Sequence, residues 1–142
     1  MEKLLIEGGY KLNGSINMSG MKNSALPIIY SCLLIRNECI IHNVPRVSDI
    51  FNTLKILQGL GAEAEFVDSN TVRINAKYAS STIKDQALVS KMRASSYLMG
   101  TLLARFQKVS INMPGGCNFG VRPIDEHLKG FEKLGANYTV HN

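Results

Sequence analysis

The sequence predicts an α/β (α+β) fold built from repeated βαβα-strand units. Residues 25–65 run through an apolar helical segment, a short strand, a polar turn, an amphipathic helix and another strand. Residues 94–140 repeat that order, and both second helices end at Leu-Gly-Ala, at 60–62 and 134–136. A repeat of this kind predicts the architecture before any single element is assigned. We therefore expect two copies of one structural unit.

The composition is that of one compact, folded domain. The chain has 142 residues, of which 45% are hydrophobic and 19% are charged. A chain of this length and balance can bury a substantial apolar core and is not typical of disordered proteins. We expect a stable fold.

The helix that closes the first unit has recognisable ends. Ser48 or Asp49 is placed to cap its start, and Gly61 suits a left-handed stop. Its apolar residues form one stripe along a helix face: Ile50, Leu54, Leu57 and Leu60.

The matching helix of the second unit opens at Pro123 and Asp125 and stops at Gly135. Its predicted inner face consists of Leu128, Phe131 and Leu134. Short β-branched runs bounded by turn residues predict the strands: 4–6, 38–42, 72–75, 109–112 and 137–140.

The loop of the second unit is longer and carries a cysteine. In the first unit, Pro45 precedes the Leu-Gly-Ala that ends the second helix. In the second unit, the distance from Pro114 to the corresponding Leu-Gly-Ala is five residues longer. Cys117 stands in this loop among glycines 115, 116 and 120. Arg122 and Lys22 would lower the thiol pKa if they lay close. Taken alone, the pattern favours an unreactive loop cysteine, because thiolate chemistry usually needs a visible partner and His127 is only a candidate.

Two helix starts carry cations. Lys22 precedes an apolar helix with Pro27 in its opening turn, where backbone N–H groups and the ammonium could face one anion or merely cap the surface. Arg93 lies near the start of another helix, where a cation is unfavourable unless an anion offsets it. Tyr97 could stack on a flat ligand or simply pack, and His127 could contact a ligand from the start of the last helix.

The net charge and the cysteines of the chain indicate which kinds of ligand and partner it could bind. The formal charge of +5 favours an anionic partner, without the basic-aromatic pattern of nucleic-acid binding. Cys32 and Cys39 lie in apolar surroundings typical of a core, and the three cysteines predict neither a disulfide framework nor a metal site. No signal peptide or membrane span is indicated, so we expect a cytoplasmic protein.

Four motifs, taken in order and spacing, resemble the UDP-N-acetylglucosamine enolpyruvyl transferases essentially from end to end: 20–27, 43–49, 92–95 and 114–125. The cysteine-bearing loop favours this family over its shikimate-using relatives. The resemblance implies an inside-out α/β barrel of two lobes, of which this chain contains only part. Residues 1–19 would pair with the other lobe, and residues 20–142 would form a partial lobe containing two repeat units.

The resemblance also implies a reaction and roles. The family transfers the enolpyruvyl group of phosphoenolpyruvate to the 3-hydroxyl of UDP-N-acetylglucosamine, releasing phosphate, in the first committed step of peptidoglycan synthesis. No metal or organic cofactor is implied. Lys22 and Arg122 would bind phosphoenolpyruvate, and Cys117 would protonate its methylene carbon or form a covalent adduct. The residues expected to hold the sugar nucleotide are Asn23, Arg93, Pro123, Asp125 and His127, with Tyr97 as a further contact.

The same resemblance implies an incomplete active site. The family's general base and further arginines have no counterpart in these residues, so we expect that the missing C-terminal lobe is needed for turnover. Two other functions stay open: a non-catalytic sugar-nucleotide-binding paralogue, and a basic RNA-binding module with the same βαβα layout.

Overall fold

A computed structural model describes residues 3–115 and 123–140. The first unit consists of α1 (Lys22–Ser31), a 3₁₀ turn (Cys32–Leu34), β1 (Glu38–Ile41), α2 (Ser48–Gly59), β2 (Glu63–Phe66) and β3 (Val72–Asn75). The second consists of α3 (Gln86–Ser90), a 3₁₀ turn (Arg93–Ser96), α4 (Tyr97–Phe106) and α5 (Asp125–Lys133). The mixed helix and sheet architecture confirms the predicted fold class.

The three strands of the first unit form one antiparallel sheet with the order β1-β3-β2. The central strand β3 therefore pairs with both of its neighbours, which do not pair with each other. Val72 and Ile74 are fully buried, as expected for alternate residues on the helix-covered face. Among residues 3–115 and 123–140, no helix is long and apolar enough to cross a membrane.

The core lies between this sheet and the helices α1, α2 and α4. The predicted stripe of α2 is confirmed, because Ile50, Leu54, Leu57 and Leu60 are all buried. Gly61 and Gly135 have φ values of 92° and 90°, as predicted for left-handed helix stops.

Two details of the predicted helix starts are wrong. The N-cap of α2 is Val47, which makes no side-chain capping bond, and Asp49 lies in the first turn. Helix α1 already begins at Lys22, so Pro27 falls in its second turn. There the proline cannot donate to the carbonyl four residues earlier, and its ring crowds that carbonyl.

One arginine joins the two units. Arg105, on α4, donates through Nη1 to the Leu33 carbonyl at 2.5 Å and through Nη2 to the Ala76 carbonyl at 2.7 Å. Nη2 also lies 3.3 Å from the Lys77 carbonyl oxygen. These acceptors follow α1 and β3, so a single guanidinium connects α4 to the ends of two elements of the first unit.

Three predicted strands are not strands in the structure: 4–6, 109–112 and 137–140. A strand requires a hydrogen-bonded neighbour, and none of these segments pairs with another within the described residues. Leu134, predicted to face inward, is 86% exposed. Residues 3–19 contain no helix or strand and are exposed almost throughout, so their pairing with another lobe stays a prediction.

Candidate functional site

The starts of four helices meet at one cleft of about 470 Å³. Each of α1, α2, α4 and α5 contributes residues from its first turn or from the turn just before it. The cleft is lined by Lys22, Asn23, Leu26, Asp49, Lys91, Met92, Arg93, Ala94, Ser96, Tyr97 and His127. Because the two units repeat the same helix order, their helix N-termini come to the same side of the molecule.

Close backbone packing fixes the position of the α1 start. The Gly20 N–H donates to Asn43 Oδ1 at 3.0 Å, and Asn43 has a left-handed φ of 57°. A Cβ added at Gly20 would collide with the Asn43 carbonyl oxygen, so only glycine fits. Two residues later, Lys22 Nζ contacts Asp49 Oδ2 at 2.7 Å. Both side chains are partly exposed, and this ion pair holds the ammonium at the cleft.

Both described ends of the cysteine loop lie beside the cleft. Before the loop, Gly115 packs so closely on the Ser90 carbonyl that an added Cβ would collide with it. After the loop, the Pro123 carbonyl accepts a hydrogen bond from Arg93 Nη2 at 3.2 Å. Ser90 directly precedes Lys91, and both Lys91 and Arg93 line the cleft. Gly115 and Pro123 therefore lie next to the cleft.

Tyr97 stands at the start of α4 with 44% of its surface exposed. Its ring lies 6.2 Å from that of Tyr30, tilted by 44°, so one face packs and part of the ring stays accessible. Burial raises the pKa of Tyr30 to about 12. The Tyr30 hydroxyl has no hydrogen-bond partner among the described residues. Tyr97 thus packs on Tyr30 as one of the two predicted alternatives, and its predicted ligand contact stays a prediction.

The electrostatics of the cleft favour an anion. Among the described lining residues, Lys22, Lys91 and Arg93 are cationic and Asp49 is the one carboxylate. Helix α1 has no acidic residue in its own first turn and no side-chain cap, and the Asp49 carboxylate near its start is paired with Lys22. Cationic side chains combined with helix N-termini are the usual elements of phosphate and carboxylate sites.

The cleft brings together most of the predicted site residues that are described: Lys22, Asn23, Arg93, Tyr97 and His127. Pro123 reaches it through the hydrogen bond of its carbonyl to Arg93. Asp125 does not line the cleft and lies 3.8 Å from Lys129 Nζ, and its predicted contact with the sugar nucleotide stays a prediction. Cys117 and Arg122 lie outside the described residues, so their predicted roles stay predictions.

Sequence reasoning missed two charged residues of the lining, Asp49 and Lys91. Lys91 precedes Arg93 by two residues, and its helix-start setting was the available signal. Asp49 was interpreted as a helix cap, although its distance of 27 positions from Lys22 gave no sign of their contact. Among residues 3–115 and 123–140, no group of three or more His, Cys, Asp or Glu side chains could hold a metal ion.

The other two cysteines have a structural setting. Cys32 is buried, and burial raises the pKa of its thiol to about 12. Cys39 is half-buried and packs against the core. The prediction of a core position is confirmed for Cys32, whereas Cys39 lies at the edge of the core. Cys32 is poorly suited to be a nucleophile because its thiolate is disfavoured.

Comparison with known proteins gives a consistent result. A protein of Campylobacter hominis named UDP-N-acetylglucosamine 1-carboxyvinyltransferase is 46% identical over 99% of this chain and 34% of its own length. Its namesake from Methylacidiphilum infernorum is 49% identical over 99% of this chain and 33% of its own length. The chain thus spans about a third of the length of these curated relatives.

A solved structure shares the fold. The enolpyruvyl transferase NikO from Streptomyces tendae matches 70% of this chain and 23% of its own, with a TM-score of 0.60 and 24% identity. The family described as EPSP synthase (3-phosphoshikimate 1-carboxyvinyltransferase) matches residues 6–142. This match covers nearly the whole sequence, and so the chain belongs to the EPSP synthase family of enolpyruvyl transferases.

Proposed function

We propose that this chain provides the cysteine-bearing part of an enzyme that transfers the enolpyruvyl group of phosphoenolpyruvate to the 3-hydroxyl of UDP-N-acetylglucosamine. The observation that carries the proposal is the cleft at which Lys22, Asn23, Arg93, Tyr97 and His127 meet. Relatives named for this transfer are 46% and 49% identical over nearly the whole chain. The proposed setting is peptidoglycan synthesis in the cytoplasm.

The charges of the cleft suit the two proposed substrates. Phosphoenolpyruvate and the nucleotide diphosphate are both multiply anionic, and the lining supplies Lys22, Lys91 and Arg93 at converging helix starts. Such groups are oriented before the substrates arrive, so they stabilise developing negative charge without reorganising. In our proposal Lys22 and Arg122 bind phosphoenolpyruvate, while Arg93 and Asn23 hold the sugar nucleotide.

The proposed reaction is an addition followed by an elimination. A proton adds to the methylene carbon of phosphoenolpyruvate, and the 3-hydroxyl oxygen of the sugar attacks the adjacent carbon while its own proton passes to a base in the remainder of the protein, which gives a tetrahedral intermediate. Loss of phosphate and of a proton from the new methyl group restores the double bond in the enolpyruvyl ether. We assign the first protonation to Cys117, which alternatively forms a covalent adduct with phosphoenolpyruvate.

Binding of the sugar nucleotide without turnover is the second candidate function. It is favoured by one observation: the chain spans about a third of the relatives' length. The groups expected to complete the reaction, including the base for the sugar hydroxyl, belong to the remainder of such a protein. The 142-residue chain would then bind UDP-N-acetylglucosamine and protect its loop without forming product.

Thiol alkylation tests the proposed role of Cys117. With iodoacetamide and peptide mass spectrometry, we expect Cys117 to react faster than Cys32 and Cys39, because in our proposal Lys22 and Arg122 lie close enough to favour its thiolate. Saturating UDP-N-acetylglucosamine and phosphoenolpyruvate should slow that reaction. The thiols of Cys32 and Cys39 serve as internal controls, since their rates should not respond to the ligands.

Two results would count against the assignment. Equal alkylation rates at all three cysteines would remove the case for an activated thiol. If Cys117 reacted fast but neither ligand changed its rate, we would conclude that the reactive loop is not part of the ligand-binding cleft. Loss of ligand protection in a Lys22→Met variant that keeps the fast basal rate would instead support binding at the α1 start.

A further inference from the structure

A buried hydroxyl group beneath the cleft has no role in the proposed function. The Tyr30 side chain is 0% exposed, and its hydroxyl makes no hydrogen bond within the described residues. Burying a hydroxyl without a partner is costly, and most buried polar groups in folded proteins are paired. Packing alone would be served equally well by phenylalanine, so the hydroxyl group points to a function of its own.

Helix geometry places Tyr30 on the side of α1 that reaches the cleft. Lys22, Leu26 and Tyr30 follow one another at intervals of four residues, so they share one face of the helix. Lys22 and Leu26 both line the cleft. Long side chains in a helix lean toward its N-terminus, which for Tyr30 is the direction of the cleft. The contact of its ring with Tyr97, another lining residue, at 6.2 Å agrees with this position.

Helix α2 faces this hydroxyl group with two residues that are one turn apart. Thr53 is fully buried, and its hydroxyl donates to the Asp49 carbonyl at 2.8 Å. Burial raises the pKa of Tyr30 to about 12, and the neighbours that also act on this pKa are the Thr53 hydroxyl and the charge of Asp49. Of these two neighbours the Asp49 carboxylate is the stronger acceptor, because hydrogen bonds to an ionised group are the stronger ones.

In the structure the Asp49 carboxylate instead contacts Lys22. Its Oδ2 atom lies 2.7 Å from Lys22 Nζ, at the partly exposed surface of the cleft. The inference below rests on the proposed function, in which an anionic substrate binds at Lys22. Such an anion competes with Asp49 for the ammonium group, and two negative charges that approach one cation also repel each other. Asp49 therefore needs another donor when the anion is bound.

We propose that Tyr30 is a positioning residue whose hydroxyl donates a hydrogen bond to the Asp49 carboxylate when an anion takes up Lys22. The carboxylate reaches the hydroxyl by rotation of its own side chain, while packing on Tyr97 holds the Tyr30 ring in place. Tyr30 thus acts through Asp49 and touches no substrate. The new hydrogen bond is present only in the anion-bound arrangement, so it favours the state in which the Lys22 ammonium faces the ligand.

A first experiment needs no ligand, because Lys22→Met removes the ammonium group from Asp49 directly. In the parent protein at pH 7, Tyr30→Phe should leave the urea midpoint nearly unchanged, since the hydroxyl has no partner there within the described residues. In the Lys22→Met background the same change should lower the midpoint by about 0.5–1 M, because a hydrogen bond to a charged acceptor is lost. Tyr78→Phe is the matched control: Tyr78 is 75% exposed, and its replacement should have little effect in either background.

A second experiment uses phosphoenolpyruvate as the probe in titration calorimetry. Tyr30→Phe should weaken its binding by about threefold to tenfold, because the bound state loses one hydrogen bond. The effect should largely disappear in an Asp49→Asn background, which has no charged acceptor for the hydroxyl. The Cζ resonance of Tyr30, assigned by its absence in Tyr30→Phe, should shift when phosphoenolpyruvate is added and also in Lys22→Met without ligand. A tyrosine that served only packing would show neither dependence.

Two outcomes would overturn the role of Tyr30. One is an equal effect of Tyr30→Phe on the urea midpoint with and without Lys22, and the other is an affinity for phosphoenolpyruvate that Tyr30→Phe leaves unchanged. Failure of the proposed function would look different. The parent protein would then bind no phosphoenolpyruvate, while the urea experiment would still show that the effect of Tyr30→Phe depends on Lys22.

Discussion

Replacing Arg105 by methionine should destabilise the protein substantially, because this arginine alone connects α4 to the Leu33 and Ala76 carbonyls. Methionine retains much of the side-chain volume but donates no hydrogen bond, so two partly buried acceptors lose their partner. A hydrogen bond from a charged donor contributes about 1.5–3 kcal/mol. Since water can reach part of the site, we expect a total loss of about 2–4 kcal/mol in the free energy of unfolding.

Urea unfolding followed by circular dichroism measures this change. With a urea m-value of about 2 kcal/mol/M, a loss of 3 kcal/mol corresponds to a midpoint shift of about 1.5 M. Lys55→Met is the matched control, because Lys55 is exposed on α2. Its midpoint should change little. If Arg105→Met and Lys55→Met unfold at the same urea concentration, the arginine does not hold the two units together.

Three further predictions concern local features. Gly20→Ala should weaken UDP-N-acetylglucosamine binding by displacing the α1 start, whereas Gly59→Ala, which has open space for its Cβ, should not; equal affinities in calorimetry would contradict this. Stability should fall by about 2–3 kcal/mol as pH rises from 10 to 12, because unfolding releases the buried Tyr30 to ionise at its ordinary pKa. Tyr30→Phe should abolish that fall without loss at pH 7, and a persisting alkaline decline would assign it to other groups. Cys32 should react with iodoacetamide only after unfolding, and reaction as fast as at Cys39 in the native protein would show that its burial is not protective.

Local sequence signals predicted α1, α2, α4 and α5 because those signals are complete within each helix, whereas the short helix α3 was not predicted. The stripe of α2 and its glycine stop at Gly61 required no knowledge of distant residues. The strands β1 and β3 were equally predictable, since both edges of β3 are satisfied within the first unit. Residues 109–112 and 137–140 have comparable sequences, yet no strand forms there. Strand formation depends on a partner, and local propensity does not supply one.

The candidate site could likewise be predicted only as far as local sequence signals reach. The sequence placed Lys22 and Arg93 at helix starts, which is a local property. Their meeting at one cleft depends on how the two units pack, which residue spacing does not reveal. Asp49 could not be assigned as the partner of Lys22, because an ion pair across 27 positions follows only from the packing of α1 on α2. Likewise, the contacts of Arg105 span 72 and 29 positions.

Titration calorimetry of UDP-N-acetylglucosamine into the 142-residue protein tests the central claim most directly. We predict saturable 1:1 binding that weakens with added salt, as expected for an anion held by cations at helix starts. Arg93→Met should weaken it by about tenfold or more. Lys129→Met should not, because Lys129 contacts Glu126 and lies outside the cleft lining. Absence of binding, or an equal loss in both variants, would contradict the assignment of this cleft as the sugar-nucleotide site.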